Sequence, residues 1–450
     1  MSRAYAVAQR AGVRAVAIAS TGFIGMLRAT TRTLGVAEVA IAEYPGVITV
    51  DGPDTFAARV AEHVVPAFIA RLTETTDDGA VVREPEPAPR DIVFRGDFDA
   101  VQEHFHQQRW SDGLPIVPPT LERIDRFLRY TRRDPDEVLG VLLPEMRAAT
   151  VWNVAVNGVI AGCRPEYMPI LLAVVEAIAD PEFRLQDAGS TPGWEPLILL
   201  SGPLVEELGV NVRSGVMRVG NQANSSIGRF LRLYMRNVPG LRTWPDQTDK
   251  ATIGQTFLVM LAENDAAVVE LGWPAQRVER GYAPTDTVVT VQSVYAVSPP
   301  IYSGGDTPES QLEFIAEFLG NAIGPWAFTG LNWARFHPLL VMSPVVAKVF
   351  AQAGWSKDDL RQALRDRLKI PASRMELYFR HVSASKWRVT DSVAAGTVPA
   401  AEYAASDDPD RLVPMLPRAG WLGIVVAGDP GRNQSRAYIN NHDQGVPVSR

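Results

Sequence analysis

An acidic, proline-rich stretch from Thr73 to Asp91 divides the chain, and it limits what can fold on either side of it. The stretch shows no hydrophobic periodicity, which is typical of a linker. The sequence therefore predicts a small unit at residues 1–72, a linker at 73–91 and a large unit at 92–450.

The small unit alternates short apolar runs with amphipathic ones. Strands are predicted within Ala15–Ala19 and Val36–Gly46, and helices at Gly25–Gly35 and Gly52–Leu72. Strand–helix alternation favours a parallel sheet, and strands that are apolar on both faces are typical of its interior. Two strands alone are marginally stable in water, so we expect an α/β fold that is an incomplete, flavodoxin-like half-domain. A second polypeptide, or a second copy of this chain, would cover its open edge.

The large unit mixes helices and strands, which predicts an α+β domain behind the half-domain. No internal repeat is evident in it. The predicted helices are Asp97–Arg109, Leu121–Tyr130, Pro135–Leu142, Val151–Ala161, Pro165–Ile178, Asn224–Asn237, Pro308–Asn321, Met342–Ala353 and Lys357–Leu368. The predicted strands are Pro196–Leu200, Thr256–Leu261, Thr287–Tyr295 and Leu422–Ala427.

Composition argues against several classes of partner. A net charge of −7 does not suit a nucleic-acid partner, which requires a basic surface. No apolar run reaches the ~20 residues of a membrane span, and a single cysteine suits a reducing compartment. We therefore expect a cytoplasmic protein. The residue patterns identify no cofactor, and without HExxH or CxxC spacing they predict no metal site made by this chain alone.

The single cysteine, Cys163, lies just before the predicted helix Pro165–Ile178, and Arg164 stands between the two. A helix N-terminus and a nearby cation both favour a thiolate, so the sequence predicts a nucleophilic or redox thiol with a lowered pKa. Asn157 and Arg164 are candidates for binding the substrate beside it. In the alternative interpretation, Cys163 is a small buried hydrophobic residue and Asn157 helps to cap the end of the preceding helix.

A second predicted helix starts among amides and hydroxyls after a Gly-rich approach. Asn221, Gln222, Asn224 and Ser225 mark this helix start. Free backbone N–H groups at a helix start bind carboxylates and phosphates, so the segment is predicted to hold an anion or an oxyanion. The alternative is an ordinary N-cap at Asn224, with the arginines of the helix in solvent.

Three further segments carry candidate polar residues. Ser111 and Asp112 lie in a loop stiffened by Gly and Pro, which suits either a site or a purely structural turn. Asp249 and Lys250 come before a predicted strand, and Glu263 follows that strand, where α/β proteins often bind ligands. We expect these three charged residues to supply acid–base catalysis.

Five segments occur in an order that resembles the large domain accompanying the UGSC-motif (seleno)protein family. They are WSDGLPIVPPT from Trp110, AVNGVIAGCRPEYMPILLAVVEAI from Ala155, GNQANSSIGRFLRLYMRNVPG from Gly220, TDKATIGQ with AEND, and AGWSKDDLRQAL. The resemblance runs from Arg109 to Arg450. The N-terminal residues resemble the second half of the family's small domain.

Two features of the family pattern are missing. The redox motif that would precede a strand like Val13–Ala19 is not in this chain, and Val345 and Val346 stand where relatives carry Glu-His. Cys163 matches the cysteine of the family's large domain. The resemblance therefore implies that one thiol remains in this chain and that another comes from elsewhere.

Together, the residues and the resemblance imply a subunit of a heteromeric enzyme. It would use a cysteine thiol or thiolate on a small anionic or acyl substrate, in lyase, reductive or acyl-transfer chemistry. In the alternative, the chain is a non-catalytic scaffold or binding subunit that partners a thiol- or selenol-bearing protein.

Overall fold

The computed structural model describes residues 2–450, apart from 34–35, 37, 49, 75–86, 189–192, 244–247, 250, 252, 334, 384–385 and 441–444. Its strands are β1 Ala17–Ser20, β2 Ile41–Tyr44, β3 Val138–Leu142, β4 Arg147–Thr150, β5 Glu195–Ser201, β6 Leu261–Ala262, β7 Val288–Val294, β8 Ala296–Val297, β9 Leu339–Met342, β10 Lys369–Pro371, β11 Leu412–Pro414, β12 Gly423–Val426, β13 Ser435–Ile439 and β14 Val448–Ser449. Its α-helices are α1 Ser2–Arg10, α2 Ile24–Thr33, α3 Pro53–Arg59, α4 Val65–Thr73, α5 Phe98–Gln107, α6 Leu121–Leu128, α7 Val151–Ile160, α8 Met168–Ala179, α9 Leu204–Glu207, α10 Gln222–Asn237, α11 Asp265–Leu271, α12 Gln276–Glu279, α13 Pro308–Ile323, α14 Thr329–Trp333, α15 Pro344–Gln352, α16 Lys357–Arg367, α17 Ala372–Ser383, α18 Val389–Ala394 and α19 Ala400–Tyr403.

The small unit is built around a parallel pair of strands, as the sequence predicts. β1 runs parallel to β2, with Ala17 opposite Ile41 and Ser20 opposite Tyr44. Helices α1 and α2 pack with one set of strand side chains, and α4 packs with the other. The unit therefore has a small core of its own, on a sheet in which the described residues form two strands.

The ends of the small unit's elements differ from the prediction. The strand expected within Val36–Gly46 is limited to Ile41–Tyr44. The helix expected at Gly52–Leu72 is interrupted by a π-helical turn at Val60–Val64. Most of the predicted linker, residues 75–86, lies outside the described residues.

Two four-stranded sheets form the centre of the large unit. Their strand orders are β14-β7-β5-β6 and β8-β13-β9-β12. In the first sheet β5 is parallel to β6 and antiparallel to β7, and β7 is antiparallel to β14. In the second sheet β9 is parallel to β12 and antiparallel to β13, and β13 is antiparallel to β8. The two sheets therefore have the same topology.

This shared topology is an internal repeat, which the sequence alone did not make evident. The segment PLILLS at 196–201 lies within β5, and β9 lies within the similar segment PLLVMS at 338–343. In both segments the fifth residue, Leu200 or Met342, pairs with the parallel neighbour strand. The outer strand of each sheet comes from the other repeat. β8 directly follows β7 in the chain but joins the second sheet, whereas β14 follows β13 but joins the first.

Alternation of side chains along the strands gives each sheet two buried faces. Leu197 and Leu199 on β5 pack with Leu339 and Val341 on β9, so the sheets face each other. The outer face of the first sheet packs on α7, α8 and α10, and that of the second packs on α13, α15 and α16. The large unit thus has four layers, with two sheets between two sets of helices.

One predicted helix of the large unit is wrong, and one strand is much shorter than predicted. Pro135–Leu142 is not a helix, because Val138–Leu142 forms β3 and pairs antiparallel with β4. Its valines and Gly140 lower helix propensity, and the valines favour a strand. The strand predicted at Thr256–Leu261 is limited to Leu261–Ala262. The chain is a mixed α/β protein.

Candidate functional site

Helix α10 contacts most of the residues that the sequence singled out. Hydrogen bonds join it to the thiol of Cys163, to Asp112 in the loop after α5, and to Asp249. Its inner side is buried against α7, α8 and β5. We therefore describe the candidate site as the surroundings of α10.

Cys163 lies just beyond the C-terminus of α7. Gly162 has φ of 78°, and the N–H of Cys163 donates to the carbonyl of Gly158, which closes the end of that helix. A 3-10 turn at Pro165–Tyr167 follows before α8 begins. The carbonyl-rich end of α7 is thus beside the thiol, and that end of a helix dipole does not stabilise a negative charge.

The thiol of Cys163 is also buried, with 9% of the residue exposed. Its Sγ donates to the carbonyl oxygen of Ser226 at 3.3 Å. Burial raises the pKa of the thiol to about 12, because the nearby charge of Arg229 does not offset the loss of water. The predicted lowering of the pKa is therefore wrong, and Cys163 is a neutral thiol at pH 7.

The start of α10 is capped by Asn221. The side chain of Asn221 accepts hydrogen bonds from the N–H groups of Ala223 at 3.0 Å and Asn224 at 3.2 Å. Asn224, the alternative cap in the sequence analysis, is fully buried and bonds to the backbones of Asn211 and Met260. Two of the backbone N–H groups that were predicted to bind an anion are therefore already bonded to Asn221.

The next polar residues of α10 hold the helix to its neighbours. Gln222 donates from Nε2 to the carbonyl of Gly162 at 2.8 Å and accepts from the hydroxyl of Tyr167 at 2.5 Å. Ser225 accepts from the N–H of Gly220 at 3.3 Å. These contacts place the loop around Cys163 against the first turn of α10.

Asn157 and Arg164 have different environments. Asn157 is buried, donates to the carbonyl of Asn153 at 2.8 Å and accepts from Asn237 at 2.9 Å, so it joins α7 to α10. Arg164 has a side chain that is 62% exposed and lies 3.9 Å from Glu166. The structure gives Asn157 a structural contact and leaves Arg164 in solvent.

Asp112 forms a two-pronged ion pair with α10. Arg229 donates from Nε and Nη2 to the two carboxylate oxygens of Asp112, both at 2.8 Å. Burial acts to raise the pKa of Asp112, but the hydrogen bonds and charge of Arg229 outweigh it and lower that pKa. Ser111 is 3.2 Å from Nδ1 of His106 and accepts from the N–H of Gly113 at 3.1 Å. The loop is therefore a rigid turn anchored on α10.

Asp249 belongs to a buried pair of carboxylates that share one arginine of α10. Arg232 lies 3.0 Å from Asp249 and 3.5 Å from Glu195, and Thr256 donates to Glu195 at 3.0 Å. Burial raises the pKa of Glu195 to about 7, against the attraction of Arg232. A carboxyl that titrates near neutral pH is suited to proton transfer. Lys250, the third predicted acid–base residue, lies outside the described residues.

Glu263 lies in a different buried cluster, which joins the two repeats. It accepts from the hydroxyl of Ser201 and the N–H of Gln276, both at 2.8 Å. Lys357 on α16 lies 3.7 Å from the other oxygen of Glu263 and 2.9 Å from Glu279. Burial raises the pKa of Glu263. Its polar contacts are with these elements and not with α10.

No protein-family model matches this chain, and no curated protein matches it significantly. Among the described residues, no group of three or more His, Cys, Asp or Glu side chains is placed to hold a metal ion. None of the described helices is long and apolar enough to cross a membrane. The arrangement around α10 therefore has to be interpreted from its own chemistry.

Sequence reasoning did not single out Glu195 or Lys357, and it left Arg229 and Arg232 as possible solvent-facing residues. The available signal for Glu195 was an acidic residue directly before an apolar run, in GWEPLILL. No local pattern distinguishes the two arginines from exposed ones, because their partners are distant in sequence. The site that the structure offers for proton transfer is thus Glu195, Arg232 and Asp249.

Proposed function

We propose that this chain is a subunit of a hetero-oligomeric enzyme related to the UGSC-motif family. A second polypeptide docks on the small unit, completes its flavodoxin-like sheet and brings a thiol or selenol. The supporting observation is a set of exposed apolar side chains on the small unit, the kind of surface that protein partners cover.

Several large apolar side chains are exposed where β1 and β2 end. Val50 is 79% exposed, Val47 53%, Ile48 44% and Phe23 43%. The carboxyl ends of parallel strands are where such sheets bind ligands. Among the described residues no other strand pairs with the outer edges of β1 and β2, and natural proteins usually cover such edges. A partner that adds strands would bury both the edge and these side chains.

The large unit contributes acid–base chemistry to this proposal. Glu195 and Asp249 supply carboxyl groups, and Arg232 holds them in place. The substrate is a small anionic or acyl compound, and the reaction is of lyase, reductive or acyl-transfer type. Cys163 is a neutral, buried thiol, so the reactive sulfur or selenium is assigned to the partner. The assembly is proposed to be cytoplasmic.

A scaffold or binding role is the second candidate, and the burial of Cys163 favours it. With a pKa of about 12, Cys163 is not a thiolate at neutral pH, which suits a residue whose only role is packing in the core. In this case α10 and its neighbours hold the partner's active site without reacting themselves. Loss of activity on changing Glu195 in an otherwise intact complex separates the first candidate from the second.

The test of the proposal is a change of one exposed apolar residue to a charged one. The first step is to search the neighbouring reading frames for a short protein with a Cys-Gly-Ser-Cys-like motif. That protein is then co-expressed with the chain, and complex formation is measured by analytical ultracentrifugation. We expect Val50→Glu to weaken the complex at least tenfold. The matched control is Val269→Glu, because Val269 on α11 is also 79% exposed. A monodisperse, fully active monomer of the unaltered chain at micromolar concentration would refute the proposal.

A further inference from the structure

A groove of about 720 Å³ lies in the second half of the large unit, away from α10. Helix α13 forms one wall. The end of α16, strand β10 and the first turns of α17 form the other. Ala316, Leu368, Ile370 and Met415 give the groove an apolar lining between these walls.

One wall of the groove is acidic. Glu309, Glu313 and Glu317 line it from α13 and are exposed. Glu317 accepts a hydrogen bond from Asn321 at 3.0 Å. Within the described part of the chain, none of the three glutamates forms an ion pair. Their charges are therefore available to a ligand that enters the groove.

The opposite wall is basic. Arg367, Lys369 and Arg374 line it and are exposed. Arg374 donates to the hydroxyl of Tyr378 at 2.8 Å, and Arg367 donates to the carbonyl of Ala363 at 3.2 Å. Among the residues that the structure describes, none of these three cations contacts a carboxylate. Two rows of opposite charge thus face one groove without pairing across it.

The spacing of the acidic row matches an extended polypeptide. Residues four apart on a helix recur about every 6 Å along its axis. Side chains on one side of an extended chain recur about every 6.6 Å, since every second residue points the same way. Three basic residues at alternate positions of an extended segment would therefore meet Glu309, Glu313 and Glu317 in turn. The residues between them would point to the basic wall.

We propose that this groove binds an extended polypeptide segment in which basic and acidic residues alternate. Basic side chains pair with α13, and acidic ones pair with Arg367, Lys369 and Arg374. The apolar lining accommodates the stems of these side chains, which are long and partly hydrophobic. The site does not depend on the small unit or on α10.

The probe is a blocked, fluorescently labelled octapeptide of alternating Lys and Glu. Its control has the same composition with four Lys followed by four Glu, so that only the alternation differs. Binding to the full chain is measured by fluorescence anisotropy at low salt. We expect the alternating peptide to bind at least tenfold more tightly than the block peptide. Equal binding of the two peptides, or no binding of the alternating one at millimolar protein, would overturn the proposal.

Variants of the chain locate the binding. Glu313→Lys and Arg374→Glu each reverse one wall charge, and we expect each to weaken binding of the alternating peptide at least fivefold. The control is Glu207→Lys, an exposed glutamate on α9 outside the groove. Circular dichroism confirms that the variants are folded. If Glu207→Lys weakens binding as much as Glu313→Lys does, the effect does not depend on where the charge lies, and the groove is not the peptide's site.

Discussion

At the level of single residues, the environment decides which titratable groups of this protein are charged. The thiol of Cys163 and the carboxyl of Glu195 are both buried, and both keep their protons to higher pH than they would in water. Asp112 is partly buried too, yet the paired guanidinium of Arg229 keeps it ionised. None of these outcomes follows from the neighbouring residues in sequence, because the burial and the partners come from other elements.

The alkylation rate of Cys163 tests its protonation state. A thiol with a pKa of about 12 is about one part in ten thousand ionised at pH 8, whereas free cysteine is about one quarter ionised. We expect iodoacetamide to modify native Cys163 about a thousandfold more slowly than free cysteine, as measured by mass spectrometry. The urea-unfolded chain is the control and should react at the free rate. A native rate within tenfold of free cysteine would contradict the buried, neutral thiol.

The pH dependence of stability tests Glu195. Its pKa rises from an ordinary value of 4.5 to about 7 in the folded protein. The unfolded chain therefore loses this proton first, and stability falls as pH increases from 4.5 to 7, by about 3 kcal/mol. We expect Glu195→Gln to remove this part of the pH dependence in urea unfolding. The exposed Glu207→Gln is the control, and its difference curve should be flat. A flat curve for Glu195→Gln as well would contradict the raised pKa.

At the level of elements, sequence patterns located many of the helices and strands, and failed where tertiary contacts set the structure. The predicted helices at 121–130, 151–161 and 357–368 are present because their apolar spacing and caps agree with their packing. The sequence predicts no strand at β9, and it assigns the last residue of β9, Met342, to a helix. A buried strand of four residues has no hydrophobic periodicity that distinguishes it from a buried helix. In the candidate site, the convergence on α10 required the fold, since Asp112 and Arg229 are far apart in sequence.

The cap of α10 has a measurable contribution to stability. Asn221 satisfies two backbone N–H groups at the start of this long buried helix. We expect Asn221→Ala to lower the free energy of unfolding by about 1 kcal/mol, as for other N-cap losses. Asn321→Ala is the control, because Asn321 lies in α13 and its bond is to the exposed Glu317. The two variants are compared by urea denaturation, and equal effects would show that Asn221 is not a stabilising cap.

At the level of the whole molecule, a buried ionic contact holds the two repeats together. Lys357 on α16 is 1% exposed and reaches Glu263, which directly follows β6 and is fully buried. Buried charges are costly unless they are paired, so the contact fixes how the repeats meet. The sequence analysis predicts an acid–base role for Glu263, and the structure places it in this contact between the repeats.

Removal of Lys357 should destabilise the whole protein. Lys357→Met leaves Glu263 buried without its cation, and we expect a loss of about 3–5 kcal/mol in urea unfolding at pH 7. Because the pKa of Glu263 is raised, the loss should be smaller at pH 5, where the carboxyl more readily takes up a proton. Lys348→Met is the control, since Lys348 and Glu270 form an exposed pair. A loss below 1 kcal/mol for Lys357→Met would contradict this role of the buried pair.

The exchange of outer strands between the two sheets has a consequence for how the chain is made and folded. Val291 in the first sheet pairs with Val448, so this sheet cannot acquire its outer strand until nearly the whole second repeat has been synthesised. Pairings between such distant residues fold slowly, because a long loop must close before they form. A ribosome-bound chain would therefore expose the edge of β7 for most of its synthesis. Folding of the first repeat and completion of the second become a single event, so neither half is expected to be a stable protein without the other.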